Sequence, residues 1–144
     1  MASRSEQVLI ALVDRLRQLP DIGVERNTPL PERIPEAGLV ILRDGDAGEP
    51  EQALGGFEPV YYRHAVELEL YAESGDQAIR DQTFDELATA IGTALDADPT
   101  LGGLVFGMTY GRPEVMTDAV EGGPAIKTGT ITLVLDYEAP SPLG

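Results

Sequence analysis

The sequence predicts an α+β fold: an antiparallel β-sheet with two α-helices packed on one face and a long exposed loop between strands. Three observations predict it. Two segments repeat apolar residues at helical spacing, two others alternate apolar and polar residues, and strand-like runs lie on both sides of the second helical segment. Helices with one apolar stripe and a sheet with one apolar face satisfy each other in two packed layers. The chain of 144 residues suits a single domain, and its 42% hydrophobic content is enough for one core.

The elements follow in order. Ser3 and Glu6 have the spacing of a capping box, and Val8, Leu9, Leu12, Val13, Leu16 and Leu19 then recur at helical spacing. Glu6, Asp14, Arg15 and Arg17 are left for the wet side of this first helix, which Pro20 ends. Residues 22–26 form a short strand. Residues 27–35 hold Pro29, Pro31 and Pro35 and are expected to be an extended linker outside any ladder. Residues 38–43 are an apolar strand bounded by turn residues. Residues 44–56 are rich in Gly, Asp, Glu and Pro, the composition of an exposed loop or hairpin tip.

Residues 60–72 are the clearest strand. His64, Val66, Leu68, Leu70 and Ala72 share one face, with Ala65, Glu67, Glu69 and Tyr71 on the other. Gly75 and Asp76 supply a turn and a helix N-cap. Ile79, Thr83, Leu87, Ile91 and Leu95, with Phe84, Ala88 and Ala94, make the stripe of a second helix that stops near Asp98 and Pro99. A strand is expected to start at residues 101–107. Residues 108–116 either continue it as a long bent strand or turn back as a hairpin, with Gly111 and Pro113 as interruptions. Residues 121–124 are a loop, residues 128–137 a second alternating strand, and residues 136–144 a loose tail marked by Pro140 and Pro142.

Composition narrows the function classes. The chain has no cysteine, which excludes disulfides, thiolate metal sites and thiol nucleophiles. With 25 acidic against 10 basic residues its formal charge is −15, a surface that repels phosphates and disfavours direct nucleic-acid binding. No stretch approaches the about 20 apolar residues of a membrane span. The first residues lack the continuous apolar run of a signal peptide, so a cytoplasmic site of assembly is expected.

Motifs for catalysis are not found. The single histidine, His64, falls on the packed face of its strand, with no partner base or nucleophile at a diagnostic spacing. No nucleophile elbow is present, and the glycine pairs Gly102–Gly103 and Gly122–Gly123 lack the spacing of a phosphate-cradling loop. Asp44-Gly45-Asp46 resembles the start of a calcium loop, but the fifth and twelfth positions are Gly48 and Gly55. No catalytic residue, metal ligand or cofactor is therefore expected. Glu67 and Glu69 share a strand face, either as a solvated surface or as a negative surface turned towards a pore or a basic partner. Tyr61, Tyr62, Tyr71, Phe106, Tyr110 and Met116 are candidate contacts between subunits, because aromatics beside loops are common interface anchors. Tyr61 and Tyr62 are adjacent and must face opposite ways in a strand.

The order of elements resembles the tail-terminator and minor-tail-component proteins of long-tailed bacteriophages. The residues that carry the resemblance are the opening helix SEQVLIALVDRLRQLP, the passage RNTPLPERIP leading to GLVILRDGD, and the strand YRHAVELELYAESGD. The helix and turn DELATAIGTALDADPTLGGLV and the closing KTGTITLVLDYEAPSPLG complete it. The resemblance implies a virion structural protein assembled in the host cytoplasm: a ring, commonly of six copies in that family, that caps the head-proximal end of the tail tube. Such a ring stops tube polymerisation, joins tube to neck, and passes DNA without specific binding through a channel for which Glu67 and Glu69 are the negative-lumen candidates. It also implies that the 44–56 loop, with Asp44, Asp46, Glu49, Glu51 and Phe57, reaches the tube or neck proteins. Three alternatives stand beside it: a neck, connector or tail-completion adaptor; a small acyl-transfer or hydrolytic enzyme; and a small-ligand or ion-binding module using the acidic loop.

Overall fold

The computed structural model describes residues 2–29, 33–52, 59–118 and 123–144. Two long strands set its frame: β4 (Val60–Ser74) and β7 (Ala125–Ala139) pair antiparallel along their whole length, from Val60 opposite Ala139 to Ser74 opposite Ala125. Every second residue of β4 from Val60 to Ala72 is buried, and the same holds for β7 from Gly129 to Ala139. A slip of one residue would turn both apolar rows to solvent, so the alternation itself fixes the register.

Two helices cover that apolar face. In α1 (Arg4–Leu16) the Ser3 Oγ accepts from the Glu6 amide at 3.1 Å, and Val8, Leu9, Leu12, Val13 and Leu16 are buried. The Glu6 carboxylate does not close the capping box but reaches Arg26. In α2 (Gln77–Ala97) the Asp76 side chain accepts from the amides of Ala78 and Ile79, capping two otherwise orphan donors. Leu12 and Leu16, Leu87 and Ile91, Leu68 and Leu70, and Leu133 and Leu135 meet in one core. The α2 stripe differs from expectation in its first turn. Ile79 is 55% exposed and Arg80 is buried instead, its Nη1 donating to the Ser74 carbonyl at 2.9 Å.

The remaining strands are β1 (Gly23–Arg26), β2 (Leu39–Asp46), β3 (Glu51–Gln52), β5 (Gly107–Tyr110) and β6 (Glu114–Asp118). The sheet order is β1-β2-β4-β7-β5, with β3 added to β4 and β6 to β7. It is mixed rather than wholly antiparallel: β1 runs parallel to β2. The proline-bearing connection between them returns the chain to the same end of the sheet, the crossover that a parallel pair requires. Its residues Pro29 and Pro35 lie over the sheet face opposite the helices, while Glu36 to Gly38 pass beside α2. The Pro35 ring shares the space above Gly23 with the Leu39 side chain, and the Pro29 carbonyl accepts from Arg43 at 3.3 Å. Leu39 and Ile41 are therefore buried on this outer face, while Val40 and Leu42 are buried on the inner one.

Other boundaries shift for local reasons. Helix α1 ends at Leu16, before Pro20. Residues 101–106 form turns rather than a strand, because Leu101, Gly102 and Gly103 all adopt left-handed φ and the Asp98 carboxylate accepts from the Gly102 amide. Strands β5 and β6 both run antiparallel to β7 and are one bent strand, not a hairpin. Tyr110 faces Leu133 and Glu114 faces Thr130, so residues 111–113 oppose only residues 131–132, a bulge at Pro113 where no amide proton exists. The tail is tied down: β7 continues through Asp136 to Ala139, and the Tyr62 hydroxyl donates to the Pro142 carbonyl at 3.0 Å.

Candidate interaction surface

Strand alternation places Tyr61, Arg63, Glu67, Glu69 and Tyr71 of β4 on the outer face, beside Thr130, Thr132 and Asp136 of β7. Among the described residues no helix lies there. Arg63 pairs with Asp136 at 3.3 Å. Arg43 pairs with Glu69 at 3.0 Å, and the Tyr71 hydroxyl donates to the same carboxylate oxygen at 2.9 Å. Burial, followed by the hydrogen bond to Glu69, pushes the Tyr71 phenol up, while Glu69 holds the Arg43 guanidinium protonated. Glu67 remains exposed. The expected pair of solvated acids is thus divided, with Glu67 open to solvent and Glu69 locally neutralised.

At one end of this face the strands enclose a cleft of about 290 Å³, lined by Ala47, Gly48, Glu49, Glu51, Tyr61 and Phe106 among others. Local chain geometry builds it. Relative to β4, strand β2 carries one extra residue between Arg43 and Asp46, a bulge. Gly45 sits in the bulge at φ 64°, where a Cβ would fall 2.0 Å from the Ala65 carbonyl oxygen, so only glycine fits. The Asp46 carboxylate then accepts from the Gly48 amide at 2.8 Å and turns the chain towards β3. From the other side, the Phe106 amide donates to the Asp136 carbonyl at 2.7 Å and pins the 101–106 turns to β7. This sets the Phe106 ring 6.3 Å from that of Tyr61, with the rings 63% and 38% exposed.

A buried polar chain roots the cleft in the core. The Asp44 carbonyl only accepts, so Nε2 of His64, 2.6 Å away, donates to it. Nδ1 shares a hydrogen bond with the Tyr137 hydroxyl at 2.9 Å, and Tyr137 shares one with the Ser5 hydroxyl at 2.8 Å. Both ring nitrogens of His64 are engaged inside the protein. The Asp44 carboxylate meets Arg26 at 2.8 Å, and Arg26 reaches on to Glu6 at 2.7 Å. The Arg26 guanidinium holds the Asp44 and Glu6 carboxyls below their ordinary values and is itself raised by them. Asp44 is accordingly the last-but-two residue of a strand and an anchor to α1 and β1, not part of a free loop.

The structure gathers some of the sequence-predicted residues and disperses others. Glu49, Glu51, Tyr61 and Phe106 converge on the cleft, and Asp46 shapes its rim. Tyr62 is a correction: alternation turns it inward, where it is 6% exposed, its ring tilted by 34° and 5.5 Å from that of Tyr137, and both residues border the cleft. Tyr71 is half-buried in the Arg43–Glu69 cluster. Tyr110 stands on the helix side, its hydroxyl donating to Asp96 at 2.7 Å, a bond that pushes the phenol up. Met116 is exposed opposite Thr128, at the other end of the outer face, with exposed Val115 beside it. Phe57 lies outside the described residues. Arg63 and Asp136 were not singled out from sequence, although the β4 period that exposes Tyr61 also exposes Arg63 two positions on.

Among the described residues no group of three or more His, Asp and Glu side chains is placed to hold a metal ion. No described helix is long and apolar enough to cross a membrane. No protein-family model matches the chain, and comparison with curated proteins finds no match.

Proposed function

We propose that the protein is a structural assembly subunit, a tail-terminator-type component whose copies close into a ring at the head-proximal end of a phage tail tube. The observation that carries this reading is the outer sheet face. Among the described residues no helix covers it, and it ends in an exposed aromatic pair beside acidic side chains. A polar, two-layered domain that leaves one sheet face and its edge strands unpaired is suited to completion by neighbours. The resemblance in element order supports the specific assembly, a hexameric ring in the virion joined to tube and neck proteins. In such a ring Glu67, exposed and unneutralised, is the stronger candidate for a channel wall that repels DNA phosphates; Glu69 is held by Arg43.

The experiment is the mass of the purified protein across concentration by light scattering, with electron microscopy of the eluted species and of tube protein polymerised in its presence. Closed rings, and tubes that stop growing when the protein is added, are expected. A monomer at every concentration that neither binds nor shortens tubes sinks the reading.

A further inference from the structure

We propose that the cleft at the 47–51 end of the outer face docks a cationic segment of a partner protein. An arginine side chain lies along the Tyr61–Phe106 pair, and its guanidinium reaches the carboxylates of Glu49 and Glu51. The inference deepens the assembly reading and rests on it only in that the protein works through contacts with other proteins.

Size, chemistry and charge converge on this occupant. The cleft, at about 290 Å³, is large enough to take one long side chain. Two exposed rings 6.3 Å apart present π-faces that attract a cation, and a planar guanidinium stacks on them while forking to carboxylates, which an ammonium does not. Arg63 is paired with Asp136, and neither Glu49 nor Glu51 enters an ion pair among the described residues. The local field at the rings is therefore negative.

Net charge favours a cation from another protein. Of the ten basic residues, Arg26, Arg43, Arg63 and Lys127 are committed to this chain's own carboxylates and Arg15 and Arg80 donate to its own carbonyls, which leaves Arg4, Arg17, Arg33 and Arg112 as what a second copy could offer. Two copies, each of formal charge −15, offer each other a like field, whereas a basic segment of another protein is drawn in.

The test is a titration of the isotope-labelled full chain with three short Gly/Ser peptides, identical except for a central pair of arginines, lysines or citrullines. Amide shifts are followed by NMR. The arginine peptide is expected to move the signals of residues 47–51, 61 and 106, the lysine peptide to bind more weakly, and the citrulline peptide not to bind. Phe106 is exposed, so Phe106→Ala leaves the fold intact and should weaken arginine-peptide binding about tenfold. Ile79→Ala, which removes an exposed apolar side chain elsewhere, should leave it unchanged.

Shifts spread over the whole acidic surface and indifferent to Phe106→Ala overturn the proposal. So does equal binding of the citrulline peptide. A Phe106→Ala variant that loses self-association but titrates normally with arginine peptide assigns the cleft to a second copy and also overturns it. Rings that assemble while the titration shows no site refute the docking alone; a lasting monomer that binds arginine peptide here refutes the ring alone.

Discussion

The two faces of the β4–β7 ladder share one backbone and one set of hydrogen bonds, yet they obey different rules. On the inner face the alternate positions of β4 and β7 are largely apolar, and the polar groups among them are matched: His64 and Tyr137 to Ser5 and the Asp44 carbonyl, Tyr62 to the Pro142 carbonyl. On the outer face the intervening positions carry Arg63, Glu67, Glu69 and a row of threonines, with ion pairs that remain open to water on at least one side. The comparison separates what makes the chain fold from what it shows to others. Burial penalises every unmatched polar atom within, so the inner face has few acceptable solutions. Outside, charges change at little cost to stability, and surface chemistry is free to follow a partner.

The adjacent residues Leu68 and Glu67 test this division most severely. Leu68→Ala opens a cavity in the core and is expected to cost about 2–5 kcal/mol, whereas Glu67→Ala stays within about 0.5 kcal/mol. Urea unfolding midpoints at equal slope measure both. A comparable loss at Glu67 would show that the outer face carries fold stability that its exposure does not reveal.

Gly45 joins the two faces, because its bulge turns the Asp44 carbonyl inward to His64 while the chain leaves for the cleft. At φ 64° and with a Cβ 2.0 Å from the Ala65 oxygen, Gly45→Ala must displace backbone. A loss of about 3 kcal/mol, larger than that of Gly48→Ala, is expected, with altered amide signals at residues 47–51. Gly48→Ala is the control: its φ is 74° but its Cβ meets nothing nearer than 3.9 Å, so only the left-handed cost of about 1–2 kcal/mol applies. Equal effects would mean that the bulge tolerates a side chain and does not position the loop.

The same division explains what was legible in the sequence. Inner-face periodicity gave the two long strands, both helices and the burial of His64, since a row such as Val66, Leu68 and Leu70 has only one sheet face on which to be buried. The continuous run Leu39–Leu42 hid its own meaning, because a strand buried on both faces loses the alternation that distinguishes it. Parallel pairing of β1 was not legible, as it depends on where a proline-bearing connection returns. Nor was the cleft: Glu51, Tyr61 and Phe106 are brought together by β-pairing and by a turn docked through the backbone of Asp136, neither of which leaves a spacing signal. Tyr62 was misplaced among surface contacts for want of a face assignment, although the parity of Val66 and Leu68 supplies it.

The smallest expected effect concerns the rim where inner and outer surfaces meet, the Glu6–Arg26–Asp44 chain. Hydrogen bonds from Arg26 hold both carboxyls below their ordinary values of 4.5 and 3.8 in the folded protein. As pH falls through this range the unfolded chain takes up protons before the folded one does, so folding becomes less favourable. The contribution is complete above the ordinary carboxylate values and disappears as pH drops through the lower folded ones. Both carboxylates are more than one third exposed, which limits each pair to about 0–1 kcal/mol at neutral pH. Arg26→Met removes the cause of both shifts. The acid side of a plot of unfolding midpoint against pH should then flatten relative to the parent protein, while the Leu68 and Gly45 effects, which contain no titrating group, persist unchanged across it. Parallel acid limbs in parent and variant would place the acid sensitivity elsewhere in this highly charged chain and leave Arg26 a tether of α1 to β2 by geometry alone.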